Sequence, residues 1–154
     1  EAKYRVTMVP TKTSEECVTG ADIITSVTTS KRPTFSAEWV KEGAHINGVG
    51  AYTKEMCEIP QEIIKQAETV IFDTVDGVMQ EAGDFIQPIE SGYLTESHYK
   101  GELGQLVLGD ITGRELEEEI TIFKTVGSAV LDVFVADQIV RRARVKQIGN
   151  EINI

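Results

Sequence analysis

Four short stretches carry residue types able to hold a polar ligand. Thr28-Thr29-Ser30 brings three hydroxyls and their backbone amides, shortly before Pro33. Asn47-Gly48-Val49-Gly50 offers a carboxamide beside glycines, whose bare backbone lets a flat group approach closely. Asp73 and Asp76 supply carboxylates. Lys124-Thr125-Val126-Gly127-Ser128 adds hydroxyls and, at the start of a long helix, exposed N–H groups suited to a polar or anionic group. Each stretch also reads as an ordinary polar turn, so spacing alone selects no ligand.

Other chemistries find less to work with. His45 and His98 are far apart and belong to no metal-ligand pattern, so no metal site is expected. His45, inside a strand, reads as a core or cofactor-adjacent histidine. The sequence has no nucleophile elbow, no P-loop and no GxGxxG turn. Cys17 and Cys57 form neither a disulfide framework nor a clustered metal site and read as reduced thiols of a cytoplasmic protein.

The elements that must position these groups follow from hydrophobic pattern. Ala21–Thr29 is apolar and β-branched without strict alternation, the pattern of a parallel strand covered on both faces. His45–Gly50 and Val70–Asp73 are two further short strands, and Ile120–Phe123 alternates as another. Tyr4–Val9 is rich enough in β-formers for one more. Between them lie a short helix after Ser14, one after Ser36 carrying Trp39 and Val40, and one opened by Pro60 through Ala67. The stretch 76–101, punctuated by Gly77, Gly83, Pro88 and Gly92, reads as loops with short helical turns. Leu103–Leu108 reads as a helical turn or two. Thr112-Gly113-Arg114-Glu115 has capping-box spacing for an acidic helical turn at 115–119.

The clearest helix is the last, where Val126, Ala129, Val130, Val133, Ala136 and Val140 recur at helical spacing. Leu131, Phe134, Val135 and Ile139 widen that stripe, so burial between a sheet and another chain or domain is expected. Arg141, Arg142, Arg144 and Lys146 complement its C-terminal end. Short strands alternating with helices make an α/β fold, a parallel sheet with flanking helices joined by right-handed crossovers. In such sheets ligands bind beyond the C-terminal strand ends, where Thr28–Pro33, Asn47–Tyr52 and Asp73–Gly77 fall.

The 154 residues suffice for one domain with its own core. Fifteen Lys and Arg against 25 Asp and Glu give a formal charge of −10, which opposes a phosphate backbone and argues against nucleic acid. A dinucleotide stays open, because backbone N–H groups can hold two phosphates without a basic surface. No apolar run approaches the ~20 residues of a membrane span.

Taken together, Gly20-Ala21-Asp22-Ile23-Ile24, His45-Ile46-Asn47-Gly48-Val49-Gly50-Ala51, Glu81-Ala82-Gly83-Asp84, Gly101-Glu102-Leu103 with Gly109, Gly113-Arg114 and Ile120-Thr121-Ile122-Phe123-Lys124-Thr125-Val126-Gly127-Ser128-Ala129 resemble, in order and spacing, the C-terminal half of the ornithine cyclodeaminase/mu-crystallin family. The resemblance implies a Rossmann-like NAD(P)-binding domain over residues 1–154 that lacks its first βαβ phosphate-binding portion. It also implies that the final strand and helix pack toward an N-terminal substrate and dimerisation domain. The parent protein would be an NAD(P)-dependent oxidoreductase or cyclodeaminase acting on a small amino or imino acid, homo-oligomeric, with this chain inactive alone. The resemblance puts Thr28, Thr29 and Ser30 at the edge of the dinucleotide, Asn47, Val49 and Gly50 near the ribose and nicotinamide, and Thr125 beside the cofactor. Tyr52 stands where relatives place an aspartate, and Cys57 where many have arginine. A phenol is neutral near pH 7 and cannot serve as that carboxylate, so a dehydrogenase or ketimine reductase is favoured over ornithine cyclisation. Two other readings stay open: a non-catalytic NADPH or small-ligand binding protein of the mu-crystallin type, and an α/β piece without ligand function. The choice between NAD and NADP is not written in these residues.

Overall fold

A computed structural model describes residues 5–150 and 152. Five parallel strands form one sheet: β1 (Ile23–Ser26), β2 (His45–Gly48), β3 (Thr69–Phe72), β4 (Gly101–Glu102) and β5 (Thr121–Lys124), in the order β1-β2-β5-β3-β4. The α/β reading holds. The helices are α1 (Ser14–Val18), α2 (Gln61–Gln66), α3 (Val75–Glu81), α4 (Gly83–Glu90), α5 (Leu103–Leu108) and α6 (Ala129–Lys146). Thr13 and Thr74 cap α1 and α3 by accepting backbone N–H bonds, each satisfying one of the donors a helix start leaves free. Pro60, expected as the first helical residue, is instead the N-cap of α2.

Register fixes which residues share a face. Ile24, Ile46, Ile122 and Val70 are cross-strand partners, as are Ser26, Gly48, Lys124 and Phe72. Alternation therefore sends Ile24, Ile46, Ile122, Val70 and Phe72 to one face, where Ile63 and Ile64 of α2, Val78 of α3 and Phe85 of α4 complete the core. Phe72 meets Phe85 edge-on and Tyr99 at a tilt, with ring centroids 4.7 Å apart in both pairs. The opposite face carries Ile23, Thr25, His45, Asn47 and Phe123, and an apolar cavity of about 270 Å³ opens there between Ile71, Leu103, Leu106 and Phe123.

Several expectations change. Arg5–Val9 forms no strand, and Tyr4 lies outside the described residues. β1 is an edge strand with alternating burial, not a strand covered on both faces: Ile23 is 66% exposed and Ile24 only 7%. The helix after Ser36 shrinks to one 3-10 turn, Ala37–Trp39. The 76–101 stretch is more helical than its glycines and proline suggest. Pro88 sits inside α4, and Gly83 opens that helix because a Cβ there would strike the carbonyls of Met56 and Lys54. Tertiary packing outweighs local propensity at both positions. No helix forms over 115–119; Glu119 folds back to accept the Glu115 N–H instead.

The largest departure is α6. It begins at Ala129 rather than 126, and none of its residues is buried. Val130, Val133, Phe134 and Ile139 all stand in the open, Phe134 at 61% exposure. A helix with this many exposed large apolar side chains is stabilised in water by a cover. Nothing among the described residues covers this one.

The 17.0 kDa chain is therefore expected to self-associate at micromolar concentration in light scattering. Replacing Val133 and Phe134 together by Asp should return it to a monomer. A monomeric wild type would overturn the expectation.

Candidate functional site

The C-terminal strand ends form one rim. Ser26, Gly48 and Lys124 are level on the adjacent strands β1, β2 and β5, so the loops that follow them start side by side. The ladder continues one residue further through Val49 N–H to Ser26 O, Thr125 N–H to Gly48 O and Asp73 N–H to Lys124 O. Thr28, Thr29, Ser30, Val49, Gly50 and Thr125, expected from the sequence to cooperate, all follow the ends of β1, β2 and β5 along this rim. Tyr52, two residues beyond Gly50, is 48% exposed.

What holds the rim is a buried carboxylate that spacing did not reveal. Glu58 is fully buried. Its Oε1 accepts from Ser26 Oγ at 2.9 Å and from Thr28 N–H; its Oε2 accepts from Gly50 N–H at 2.7 Å and Ala51 N–H at 3.0 Å. Four donors on two oxygens match the acceptor capacity of an ionised carboxylate. Asp84, in the first turn of α4, accepts the backbone N–H of Glu58 at 2.6 Å and of Ile59 at 2.9 Å. Its other oxygen meets Lys124 Nζ at 3.1 Å, with both side chains wholly buried. Those two atoms form an ion pair and take no hydrogen bond. α4 is itself held down where Gln87 Nε2 donates to Lys54 O.

A second carboxylate orders the approach to α6. Asp73 Oδ2 accepts from Thr125 Oγ1 at 2.5 Å and from the N–H groups of Val126 and Gly127 at 3.1 Å, while Oδ1 takes Thr74 N–H. Of the amides expected to await an anion before α6, those of Val126 and Gly127 are thus occupied by Asp73. On the first loop Thr28 N–H goes to Glu58 and Ser30 N–H to Thr28 Oγ1. The rim has directed these donors inward and makes a poor phosphate cradle. Gly50 likewise serves the protein: a Cβ there would run into the Thr28 backbone and Glu58 Oε1, so its bareness permits loop-on-loop packing.

Asn47 points elsewhere. Its carboxamide lies on the open sheet face, where Nδ2 donates to Thr25 Oγ1 at 3.3 Å and Oδ1 pairs with His45 Nε2 at 3.1 Å. An acceptor at Nε2 assigns that nitrogen the proton, leaving His45 Nδ1 to accept from Thr121 Oγ1 at 2.7 Å. Thr121 Oγ1 in turn accepts from Arg114 Nη2, and that guanidinium also donates to the carbonyls of Gly43, Ala44 and Glu117. The chain of bonds crosses the sheet from β1 to Arg114 and borders the apolar cavity. Asn47 therefore reaches the rim only through its backbone.

Cys57 sits beside the buried cluster and Cys17 is exposed; both are free thiols. Burial, reinforced by the Asp84 charge, pushes the Cys57 thiol up to about 12. The sequence does not single out Glu58, and Asp84 and Lys124 figure in it only inside longer blocks, because nothing in the spacing of the three charges pairs them.

Residues 1–147 match the ornithine cyclodeaminase/mu-crystallin family. A Delta(1)-pyrroline-2-carboxylate reductase from Bacillus cereus is 40% identical over 141 residues, covering 92% of this chain and 43% of that protein. The structure of Thermococcus litoralis Delta(1)-pyrroline-2-carboxylate reductase in complex with NADH and L-proline superposes with a TM-score of 0.86 at 33% identity, over 92% of this chain and 44% of the other. An archaeal alanine dehydrogenase dimer with bound NAD gives 0.83 at 31% identity, over 93% and 44%. The chain thus spans less than half the length of these relatives.

Two outcomes follow from the buried cluster. Lys124→Met strands the Asp84 carboxylate and should cost about 3–5 kcal/mol in urea unfolding; a loss below about 1 kcal/mol would show that the ion pair carries little. In native protein at pH 8, iodoacetamide should label Cys17 well before Cys57, because thiolate is the reactive form. With its folded value raised, Cys57 favours the native state below its unfolded value near 9 and loses that contribution as pH climbs toward 12. Equal labelling rates at the two thiols would contradict this.

Proposed function

This chain belongs to the ornithine cyclodeaminase/mu-crystallin family, and from that premise we propose that it forms the nicotinamide side of an NAD(P)-dependent oxidoreductase acting on a small amino or imino acid. The observation that carries this reading is the contiguous rim: Thr28–Ser30, Val49–Gly50 and Thr125 follow three adjacent parallel strands, where ligands of such sheets bind. The relatives whose structures hold NADH or NAD share this fold over nine-tenths of the chain.

The residues present fit one end of a dinucleotide better than the other. Glu58 and Asp73 take up amide donors that a pyrophosphate would need. A nicotinamide ring, cationic when oxidised and neutral when reduced, asks for packing surface and a few acceptors, which Val49, the Thr29 hydroxyl and the rim carbonyls can offer. When bound, the nicotinamide would supply two-electron redox chemistry. The chain's own part would be to hold the ring against the substrate and exclude water. Tyr52 would border the substrate as a neutral hydrogen-bond donor, which favours a reductase or dehydrogenase over a reaction needing a carboxylate at that position.

The exposed apolar α6 supports packing of β5 and α6 toward a substrate and dimerisation domain in a homo-oligomer of longer chains. Two unpaired cysteines fit a reducing compartment, and we place the protein in the cytoplasm. Among the described residues no helix is long and apolar enough to cross a membrane.

NADH titration tests the proposal. With no GxGxxG turn in its 154 residues, this chain should bind NADH more weakly than about 1 mM. A chain of the relatives' full length carrying these residues should bind far more tightly and reduce cyclic imino acids. A micromolar dissociation constant for the 154-residue chain would overturn the division of labour. No binding at full length would overturn the function, and tight binding without turnover across an amino- and imino-acid panel would point to a binding protein.

A further inference from the structure

We propose that Glu58 is the positioning residue of the nicotinamide rim, its carboxylate setting the mutual placement of the 27–30 and 49–51 loops; the proposal rests on the nucleotide reading above. The two oxygens of Glu58 divide between the loops. Oε1 holds Thr28 N–H with Ser26 Oγ, and Oε2 holds Gly50 N–H at 2.7 Å and Ala51 N–H at 3.0 Å. No direct hydrogen bond joins Thr28 to Gly50, yet a Cβ on Gly50 would overlap the Thr28 backbone, so the loops touch at the point where the carboxylate joins them. Asp84 anchors Glu58 through two backbone N–H groups and is itself tied to Lys124, the residue before Thr125. A buried relay of hydrogen bonds and one ion pair thus connects the ends of β1, β2 and β5. Burying it leaves two carboxylates against one ammonium, an arrangement tolerable only because amide and hydroxyl donors surround the oxygens. A fully buried acid of this kind does more than fill space: hydrocarbon would fill the volume, but only an acceptor with two arms can join both loops.

Amide hydrogen exchange by NMR on the 154-residue chain reads the clamp directly. In the wild type Thr28, Gly50 and Ala51 amides should be protected like those of Ile46 and Ile122, although none of the three belongs to a strand. Glu58→Gln keeps the volume but turns one oxygen into a donor. Exchange at Thr28 or at the Gly50–Ala51 pair should rise about tenfold, the worth of one hydrogen bond, with Ile46 and Ile122 unchanged. In the same samples the NADH-induced shifts at Val49 and Thr125, at fixed millimolar NADH, should shrink several-fold, whereas Glu68→Gln, which alters the carboxylate that accepts the Ile120 N–H at 2.9 Å at the opposite end of the strands, should retain them. Wild-type rim amides exchanging as open loops would overturn the proposal without any variant. So would a uniform rise across core and rim, or loss of rim protection with NADH shifts unaltered. Protected rim amides together with no NADH binding by a chain of the relatives' full length would instead overturn the nucleotide reading.

Discussion

The arrangement of this protein depends on one buried network: the Glu58 carboxylate gathers two loops, Asp84 accepts the Glu58 backbone N–H, and an ion pair joins Asp84 to Lys124. Each of the three side chains is at most 1% exposed; removing either partner of the ion pair would strand charge in a medium that solvates it poorly, and removing the Glu58 carboxylate would take the acceptor from the Thr28, Gly50 and Ala51 N–H groups. The chain resolves that cost by giving the carboxylates backbone donors: Thr28, Gly50 and Ala51 on Glu58, and the Glu58 and Ile59 amides on Asp84. Because those donors belong to three separate segments, satisfying the charge also fixes the segments against one another. Electrostatic necessity and loop geometry are here the same constraint.

The constraint sets what the rim can do. Backbone N–H groups at strand ends and helix starts are the usual material of phosphate sites. Here Glu58 and Asp73 take several of them, and Thr125 commits its hydroxyl proton to Asp73. The rim becomes rigid but anion-averse, in keeping with the formal charge of −10. A dinucleotide carries its charge at the pyrophosphate and its chemistry at a flat ring, so a surface of this kind suits the ring and leaves the phosphates to other residues.

The two faces of the sheet differ in the same spirit. One is sealed by α2, α3 and α4 around Phe72 and Phe85. The other carries a hydrogen-bonded line from Thr25 through Asn47, His45 and Thr121 to Arg114, with an apolar cavity beside it. Parallel sheets are normally covered on both sides, and β1 is an edge with its backbone unpaired on one flank. The open face, the free edge and the uncovered α6 give the chain three unpartnered surfaces, each of a kind that a further domain or chain would close.

The sequence by itself determined the fold class, the strands at 23–26, 45–48, 69–72 and 121–124 to within a few residues, and the gathering of Thr28, Gly50 and Thr125 at one rim. These follow from local pattern, since β-branched runs ending in polar turns need no knowledge of distant residues. It misjudged α4 and the 115–119 segment, where packing overrides propensity, and the sheet-side burial expected of α6, none of whose residues is buried. It could not single out Glu58, Asp84 and Lys124. They are 26 and 40 residues apart, and only the parallel register, which brings the ends of β1, β2 and β5 level and lays α4 beneath them, turns three isolated charges into one network. Periodicity records which side of an element is buried. Which buried charge meets which is decided where elements cross.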